Sequence, residues 1–296
     1  MQNRYTRTDT LYILAMLAVI LAFLAPAWWQ PESIWVTPDA VYSDLAISHW
    51  PIWWRIHHSL RHHAQVPLWR PDIMGGAPLL GNPLTALFYP PNWLLAALPL
   101  NPAFHVLLAL HLCGAGMALY GLARRAAGST PFAAFVGGLC YALTPKLIAH
   151  VGAGHVGLSQ AFAWLPVSLW LLHNATEPPA KHTGAGPGGQ AWRCTLGSGA
   201  TLTLTYLADP RIAFLSGLSL AAYTLYQLVQ RWQSNGLKDV LRLALRLTLV
   251  PLATLAFGAV QVLPTLELMR ALTRSTLGLG EAGFLSLPWR YMIGYL

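Results

Sequence analysis

Charged side chains are scarce in this chain of 296 residues. Asp, Glu, Lys and Arg make up 9% of the sequence, whereas a soluble domain carries about 25%. Hydrophobic residues make up 55%, and no charge occurs between Thr10 and Pro31. This composition excludes an ordinary soluble domain and predicts a membrane protein.

Cysteine and short catalytic motifs are equally sparse. Cys113, Cys140 and Cys194 have neither metal-site nor disulfide-framework spacing, and small apolar packing residues are the simplest interpretation. No G-x-S-x-G or G-x-x-x-x-G-K-[ST] motif occurs, so the sequence does not support a serine hydrolase or a P-loop enzyme. The net charge of +8 accompanies no basic stripe or recognition motif, which argues against nucleic acid as a partner.

What the chain does contain is long apolar segments. Leu11–Trp28 can span a bilayer of about 30 Å at ~1.5 Å per residue. A cleaved signal peptide is the alternative, because Ala25-Pro26-Ala27 resembles a cleavage site. Trp28 and Trp29 fit an interfacial aromatic belt better.

Seven spans are predicted, which gives an all-α polytopic membrane protein with a large first extracytoplasmic loop carrying interfacial helices. The Leu84–Leu100 stretch is also apolar, but Pro90 and Pro91 interrupt it, so it is expected to be re-entrant or interfacial. After Leu11–Trp28, the predicted spans are Pro102–Ala123, Pro131–His150, Val156–His173, Cys194–Ala208, Arg211–Gln230 and Leu243–Leu263.

Charge distribution sets the expected orientation. With the N-terminus inside, the inner segments hold ten basic and three acidic residues, a net charge of +7. The outer segments hold eight basic and seven acidic residues, a net charge of +1. This asymmetry predicts a cytoplasmic N-terminus and an extracytoplasmic loop over 29–101. One membrane domain covers 1–296, and its uncapped ending, YMIGYL, suggests a truncated chain.

Two helices are expected inside the outer loop. Ser43 is a good N-cap for a short helix starting at Asp44, and Pro51 suits the first turn of a second helix, Pro51–His63. On that second helix one side is apolar and the other is polar, as in a helix lying in the membrane interface. The expected apolar residues are Trp53, Trp54, Ile56 and Leu60.

Acidic residues in this loop are candidates for chemistry. Asp39 precedes the expected helix and Asp44 begins it, so the two carboxylates can converge although they share no helical face. One of them can act as a general base or bind a divalent metal ion. The alternative is a carboxylate that only stabilises the positive end of the helix dipole.

Histidines and outer-end cations supply the other candidates. His57-His58 and His62-His63 have spacings that metal ligands can use, but no HExxH pattern accompanies them, so an interfacial polar face is preferred to zinc. Cations near the outer ends of spans suit an anion such as a lipid phosphate, or are ordinary snorkelling side chains. These cations are Lys146, His150, His155 and Arg211. Arg211 also stands beside Asp209, with which it can pair.

Several longer runs resemble the YfhO-like bacterial membrane proteins of the GT-C glycosyltransferase superfamily, in order and over essentially the whole chain. The runs are SDLAISHWP, VPLWRPDIMGGAPLLGNPLTALFYPPNWLL, LHLCGAGMALYGLARRAAGS, FVGGLCYALTPKLIAHVGAGHVGLSQAFAWLPVSLWLL, AVQVLPTLELMRALTRS and LSLPWRYMIGY. Relatives of this kind are longer, so the resemblance implies the N-terminal portion of such a protein, located in a bacterial plasma membrane.

The resemblance also implies an activity. The expected donor is a polyprenyl-phosphate-linked sugar, and the acceptor is an unknown glycan, polymer or protein outside the cell. Asp44 matches the family's catalytic acid, with Asp39 as the second acid and a divalent metal left open. His49 and Arg70, which stand in the quoted motifs, join the four outer-end cations as substrate-binding candidates. A lipid or sugar-lipid flippase and a non-catalytic envelope assembly protein remain as alternatives.

Overall fold

The computed structural model describes residues 5–36, 42–73, 75–176 and 187–271. Across them the chain is almost entirely helical, with one two-stranded antiparallel hairpin of β1 (Trp69–Arg70) and β2 (Ala77–Pro78). The helices are α1 (Arg7–Phe23), α2 (Ala25–Trp29), α3 (Trp50–His63), α4 (Leu94–Ala97), α5 (Leu100–Arg125), α6 (Pro131–Ala142), α7 (Pro145–Gly152), α8 (Val156–Phe162), α9 (Leu165–Thr176), α10 (Pro187–Ala208), α11 (Pro210–Asn235), α12 (Leu237–Leu247) and α13 (Leu249–Ala271).

Five helical segments are long and apolar enough to cross a membrane, which confirms an all-α, multi-pass membrane protein. Two of these segments are interrupted before a proline, between α6 and α7 and between α8 and α9. Proline has no N–H to donate to the helical hydrogen bonds, and its ring crowds the preceding turn. The five segments are Leu100–Arg125, Pro131–Gly152, Val156–Thr176, Pro210–Ser234 and Leu237–Ala271.

The other two predicted spans form helices that fall short of a full apolar crossing. α1 has 17 residues and ends at Phe23, and α2 begins at Ala25, next to Pro26. Met16 and Ile20 of α1 are fully buried in the bundle. α10 has 22 residues, but Ser and Thr side chains make it less apolar, and neighbouring helices bury several of them.

The bundle has two ends, which are named here by their acidic residues. α7 ends and α8 begins at the Asp44 end, because the Asp44 amide donates to the carbonyl of Ala153. α5 ends and α1 begins at the Asp9 end, where Asp9 contacts Arg124. α9, α11 and the α12–α13 turn also meet at the Asp9 end.

Asp9 lies in a buried polar network that ties α1 to α5. Its carboxylate accepts hydrogen bonds from Arg124 Nε at 2.5 Å and from the Tyr120 hydroxyl at 2.7 Å. Thr6 caps α1 by a capping box with the same carboxylate. Arg124 is 6% exposed and also donates to the carbonyl of Ser129. This pairing of Asp9 with Arg124 was not predicted from the sequence.

The loop before α5 folds back onto the bundle. The buried face of α3 is Ile52, Trp53 and Ile56, which pack against apolar residues of the loop and of α5. The prediction that Trp54 shares this face is wrong, since Trp54 is 47% exposed and its ring stacks on His58. The Leu84–Leu100 stretch contains two short 3₁₀ turns, Pro83–Thr85 and Pro90–Trp93, followed by α4.

The orientation of the two ends gives a labelling prediction. In a variant whose three native cysteines are replaced by alanine, Gln65→Cys lies at the Asp44 end and Ser234→Cys at the Asp9 end, and both positions are exposed. Basic residues favour the cytoplasm, so an impermeant maleimide added to intact cells should label Gln65→Cys only. Labelling of Ser234→Cys alone would show that the protein has the opposite orientation in the membrane.

Candidate functional site

Asp44 begins a π-helical turn, Leu45–His49, that runs directly into α3. Pro51 has no N–H to donate to an earlier carbonyl and its ring crowds the preceding turn, which accounts for a widened helix here. In a π-turn, residues five apart lie above one another, so Asp44 and His49 share a face. The two separate helices expected from the sequence are therefore one continuous helical segment.

The Asp44 turn is docked tightly on the loop between α7 and α8. Asp44 N–H donates to the Ala153 carbonyl at 3.0 Å. Gly154 has a φ of 85°, and a Cβ added there would lie 2.3 Å from both Leu45 N and Ser43 Oγ. Ser43 is not the helix cap that was predicted, because its hydroxyl is buried against this loop without a hydrogen-bond partner.

A chain of contacts leads from the Asp44 carboxylate through two imidazoles. His155 Nε2 lies 3.2 Å from Asp44 Oδ2, and His155 Nδ1 lies 2.7 Å from His150 Nδ1. With neutral rings, both contacts are satisfied when His155 carries its proton on Nε2 and His150 carries its proton on Nδ1. His150 Nε2 is then unprotonated, and a proton taken up at this atom can be passed along the chain toward Asp44.

His49 completes this group on the π-turn. Burial is the main cause that lowers the pKa of His49 to about 4, so its ring is neutral at pH 7. The charges of Asp44 and Asp209 oppose this fall in pKa, and those of His155 and Arg211 add to it. His49 is therefore an uncharged side chain on which the charges of all four groups act.

Asp209 and Arg211 face the same region from the start of α11. The buried Asp209 carboxylate caps α11 by accepting from the Arg211 and Ile212 amides. It also accepts from Arg211 Nη2 at 2.7 Å and Nε at 3.1 Å. The pairing considered in the sequence analysis is present. The Arg211 side chain is still 60% exposed, and the Asp44 charge acts on it.

Close backbone contact holds α11 near Asp44. A Cβ on Gly157 of α8 would lie 2.4 Å from the carbonyl oxygen of Ala208, at the end of α10. The α8 N-terminus and the α10–α11 turn are therefore in direct contact. Lys146 approaches from α7, one turn before His150, where it is exposed and its charge acts on the His150 ring.

The structure thus brings together six of the eight residues proposed from the sequence. These six are Asp44, His49, Lys146, His150, His155 and Arg211, and they are called the Asp44 cluster below. Asp39 lies outside the described residues. Arg70 belongs to a different group, because it is buried in β1 and donates to Asp72 at 2.9 Å.

Asp72 has a structural role in that second group. Arg55 of α3 and Arg70 of β1 both contact its carboxylate at 2.9 Å. The hydrogen bond from Arg70 is the main cause that lowers the pKa of Asp72. The triad joins the hairpin to α3, so the proposed substrate-binding role of Arg70 gains no geometric support.

Metal binding was left open by the sequence. Within the ranges that the structure describes, no three His, Cys, Asp or Glu side chains are grouped to hold a metal ion. The His57 ring instead contacts the Leu95 carbonyl at 3.0 Å, and the rings of His58 and His62 lie 4.3 Å apart on the exposed side of α3.

The connections within the cluster were not predicted from the sequence. His150 and His155 were expected to be separate cations for a phosphate, and Asp209 was expected only to pair with Arg211. Gly154, which lies between the two histidines, could have predicted their contact, since a glycine that forms a tight turn brings its flanking residues together. Comparisons with family models, curated proteins and solved structures found no match.

Gly154 offers a direct test of this geometry. Gly154→Ala should displace the Asp44 turn, because the new Cβ meets backbone and the positive φ disfavours a side chain. We expect a loss of roughly 2 kcal/mol or more in the free energy of unfolding, measured in mixed micelles. Gly128→Ala is the control, since Gly128 also has a positive φ but no atom within 4 Å of its Cβ position. Equal losses in the two variants would refute the docking contact.

Proposed function

We propose that this protein is a membrane glycosyltransferase that moves a sugar from a polyprenyl-phosphate-linked donor to an acceptor on the extracytoplasmic face of a bacterial plasma membrane. The observation that carries the proposal is the Asp44 cluster, which sets one carboxylate and its histidine relay beside cations at one end of a membrane bundle. The resemblance to YfhO-like proteins of the GT-C superfamily points to the same activity.

The proposed reaction needs a base and a stabilised leaving group. An acceptor hydroxyl attacks the anomeric carbon, and its proton passes to the Asp44 carboxylate as the new C–O bond forms. The bond from the anomeric carbon to the phosphate oxygen breaks, and the electron pair leaves with the polyprenyl phosphate. His155 donates to the carboxylate through Nε2–H at 3.2 Å and orients it for this step, and His150 donates in turn to His155 Nδ1.

Cations in the Asp44 cluster suit the departing phosphate. Arg211 is held by Asp209 but keeps an exposed guanidinium edge, and Lys146 is exposed on α7. Fixed cations at the headgroup level stabilise an anion more than they do in bulk water, because little water competes there. The charges of Asp44 and Arg211 both act on neutral His49, which makes it a third candidate for a hydrogen bond to the sugar or phosphate.

The test must separate transfer from transport. The full-length protein is reconstituted with a panel of polyprenyl-phosphate-linked sugars, and free polyprenyl phosphate is measured alongside the leaflet location of the donor. Transfer or hydrolysis releases polyprenyl phosphate from at least one donor. Movement of a donor between leaflets without any release would overturn the proposal in favour of a flippase, and neither event would favour an assembly protein.

A further inference from the structure

The Asp9 end of the bundle contains an apolar cavity of about 500 Å³ that the Asp44 cluster does not use. Its volume lies within the range of about 300–1,000 Å³ that is usual for ligand sites. Thr224 and Thr248 are its polar lining residues. Its apolar lining includes Leu172 of α9, Leu202 of α10, Leu228 of α11 and Leu247 of α12.

The depth of the cavity matches one leaflet of a bilayer. Along α11 it extends from Gly217 to Leu228, which is roughly 16 Å at ~1.5 Å per residue. A hydrocarbon core is about 30 Å thick, so one acyl chain of a single leaflet fits this length. Leu225 on the same helix is 63% exposed, which leaves the cavity open to surrounding lipid.

Two arginines lie at the end of the cavity that faces the Asp9 end. Arg231 follows Leu228 by one turn of α11, and Arg246 precedes Leu247 on α12. Each donates one hydrogen bond to the C-terminal turn of α9, Arg231 to the Thr176 carbonyl and Arg246 to the Ala175 carbonyl. Both guanidinium groups are thereby held against the end of α9, at the Asp9 end of the bundle.

These two cations lack an acidic partner among the contacts that the structure shows. The positive charge of Arg231 acts on Arg246, and Arg246 Nε is buried without a hydrogen-bond partner. Arg242, one turn earlier on α12, differs because it pairs with Asp239 and its side chain is 83% exposed. A buried donor and two neighbouring like charges favour an anion at this place.

We propose that Arg231, Arg246 and the cavity form a binding site for an anionic phospholipid of the leaflet at the Asp9 end. The phosphate contacts the two guanidinium groups, and one acyl chain fills the cavity between α9, α10, α11 and α12. Charge complementarity selects a net negative headgroup, and the position of the cations selects this leaflet. The site is distinct from the Asp44 cluster, so it stands whether or not the proposed transfer activity does.

The test measures lipid bound to the purified full-length protein by native mass spectrometry, with phosphatidylglycerol and zwitterionic phosphatidylcholine supplied in equal amounts. We expect phosphatidylglycerol to be retained at least ~10-fold more than phosphatidylcholine, since a charge-assisted pair adds more than 1.4 kcal/mol. Arg231→Gln with Arg246→Gln should remove this preference. Arg242→Gln, which removes one positive charge from α12 outside the site, should keep it.

A second variant separates binding from folding, because both arginines also contact the end of α9. Gly217→Leu adds a side chain where no atom lies within 4 Å of the Cβ position, and Gly217 lines the cavity. It leaves both arginines in place and should reduce phosphatidylglycerol retention by filling the chain site. Equal retention of the two lipids, unchanged retention in Gly217→Leu, or loss in Arg242→Gln would overturn the proposal. Occupation by polyprenyl phosphate in preference to phosphatidylglycerol would also overturn it.

Discussion

Asp44→Asn should lower sugar transfer by at least ~100-fold, the scale expected when a general base is lost. The amide keeps the size of the side chain and an oxygen that can accept from His155, which lies 3.2 Å away, but it cannot take a proton. Membrane insertion should be unchanged, since polar loop residues contribute little to it. The measurement is the initial rate of polyprenyl phosphate release in proteoliposomes.

Asp72→Asn is the matched control for this prediction. Asp72 lies in the same loop and pairs with Arg55 and Arg70, so the variant removes one loop carboxylate without touching the Asp44 cluster. Its transfer rate should stay within a few-fold of the unmodified protein. Near-normal turnover in Asp44→Asn would mean that Asp44 is structural, and Asp39 would become the candidate base.

Asp9→Asn should destabilise the protein by about 3–5 kcal/mol, the usual range when one partner of a buried ion pair is removed. The Asp9 side chain is fully buried, and the change leaves the Arg124 guanidinium, 7% exposed, without its counter-charge. The free energy of unfolding in mixed detergent micelles, followed by tryptophan fluorescence, measures this loss.

Two further variants are the controls for Asp9→Asn. Asp239→Asn breaks the exposed pair with Arg242 and should change the free energy of unfolding by less than about 1 kcal/mol. Asp9→Asn combined with Arg124→Gln should recover part of the loss, because no buried charge is then left unpaired. A cost in Asp9→Asn no larger than that in Asp239→Asn would show that the buried network contributes little to stability.

Sequence patterns predicted the membrane helices best where the length of an apolar segment is enough to identify a span. The predicted span Pro102–Ala123 differs from α5 by two residues at each end, and Val156–His173 starts with the segment Val156–Thr176 but misses its break between α8 and α9. α10 is the instructive exception, because its Ser and Thr side chains are satisfied by helix carbonyls and by neighbouring helices. Hydropathy does not measure such pairing, so a central helix of the bundle looks only weakly apolar.

Side-chain partners across the bundle were harder to infer from sequence. Residue type and position near span ends were enough to nominate His150, His155 and Arg211 beside Asp44. The contact between the two histidines depends on the tight turn at Gly154, and the Asp9–Arg124 pair joins residues 115 positions apart. Contacts of this kind depend on how helices pack, which a single sequence does not specify.

A structure of the full-length protein bound to its polyprenyl-phosphate-linked donor tests the central claim most directly. The account predicts that the phosphate lies at the Asp44 end against Lys146 and Arg211, with the anomeric carbon facing the Asp44 carboxylate. A phosphate bound away from the Asp44 cluster, or Lys146 and Arg211 directed to separate lipid-facing sides of the bundle, would contradict it.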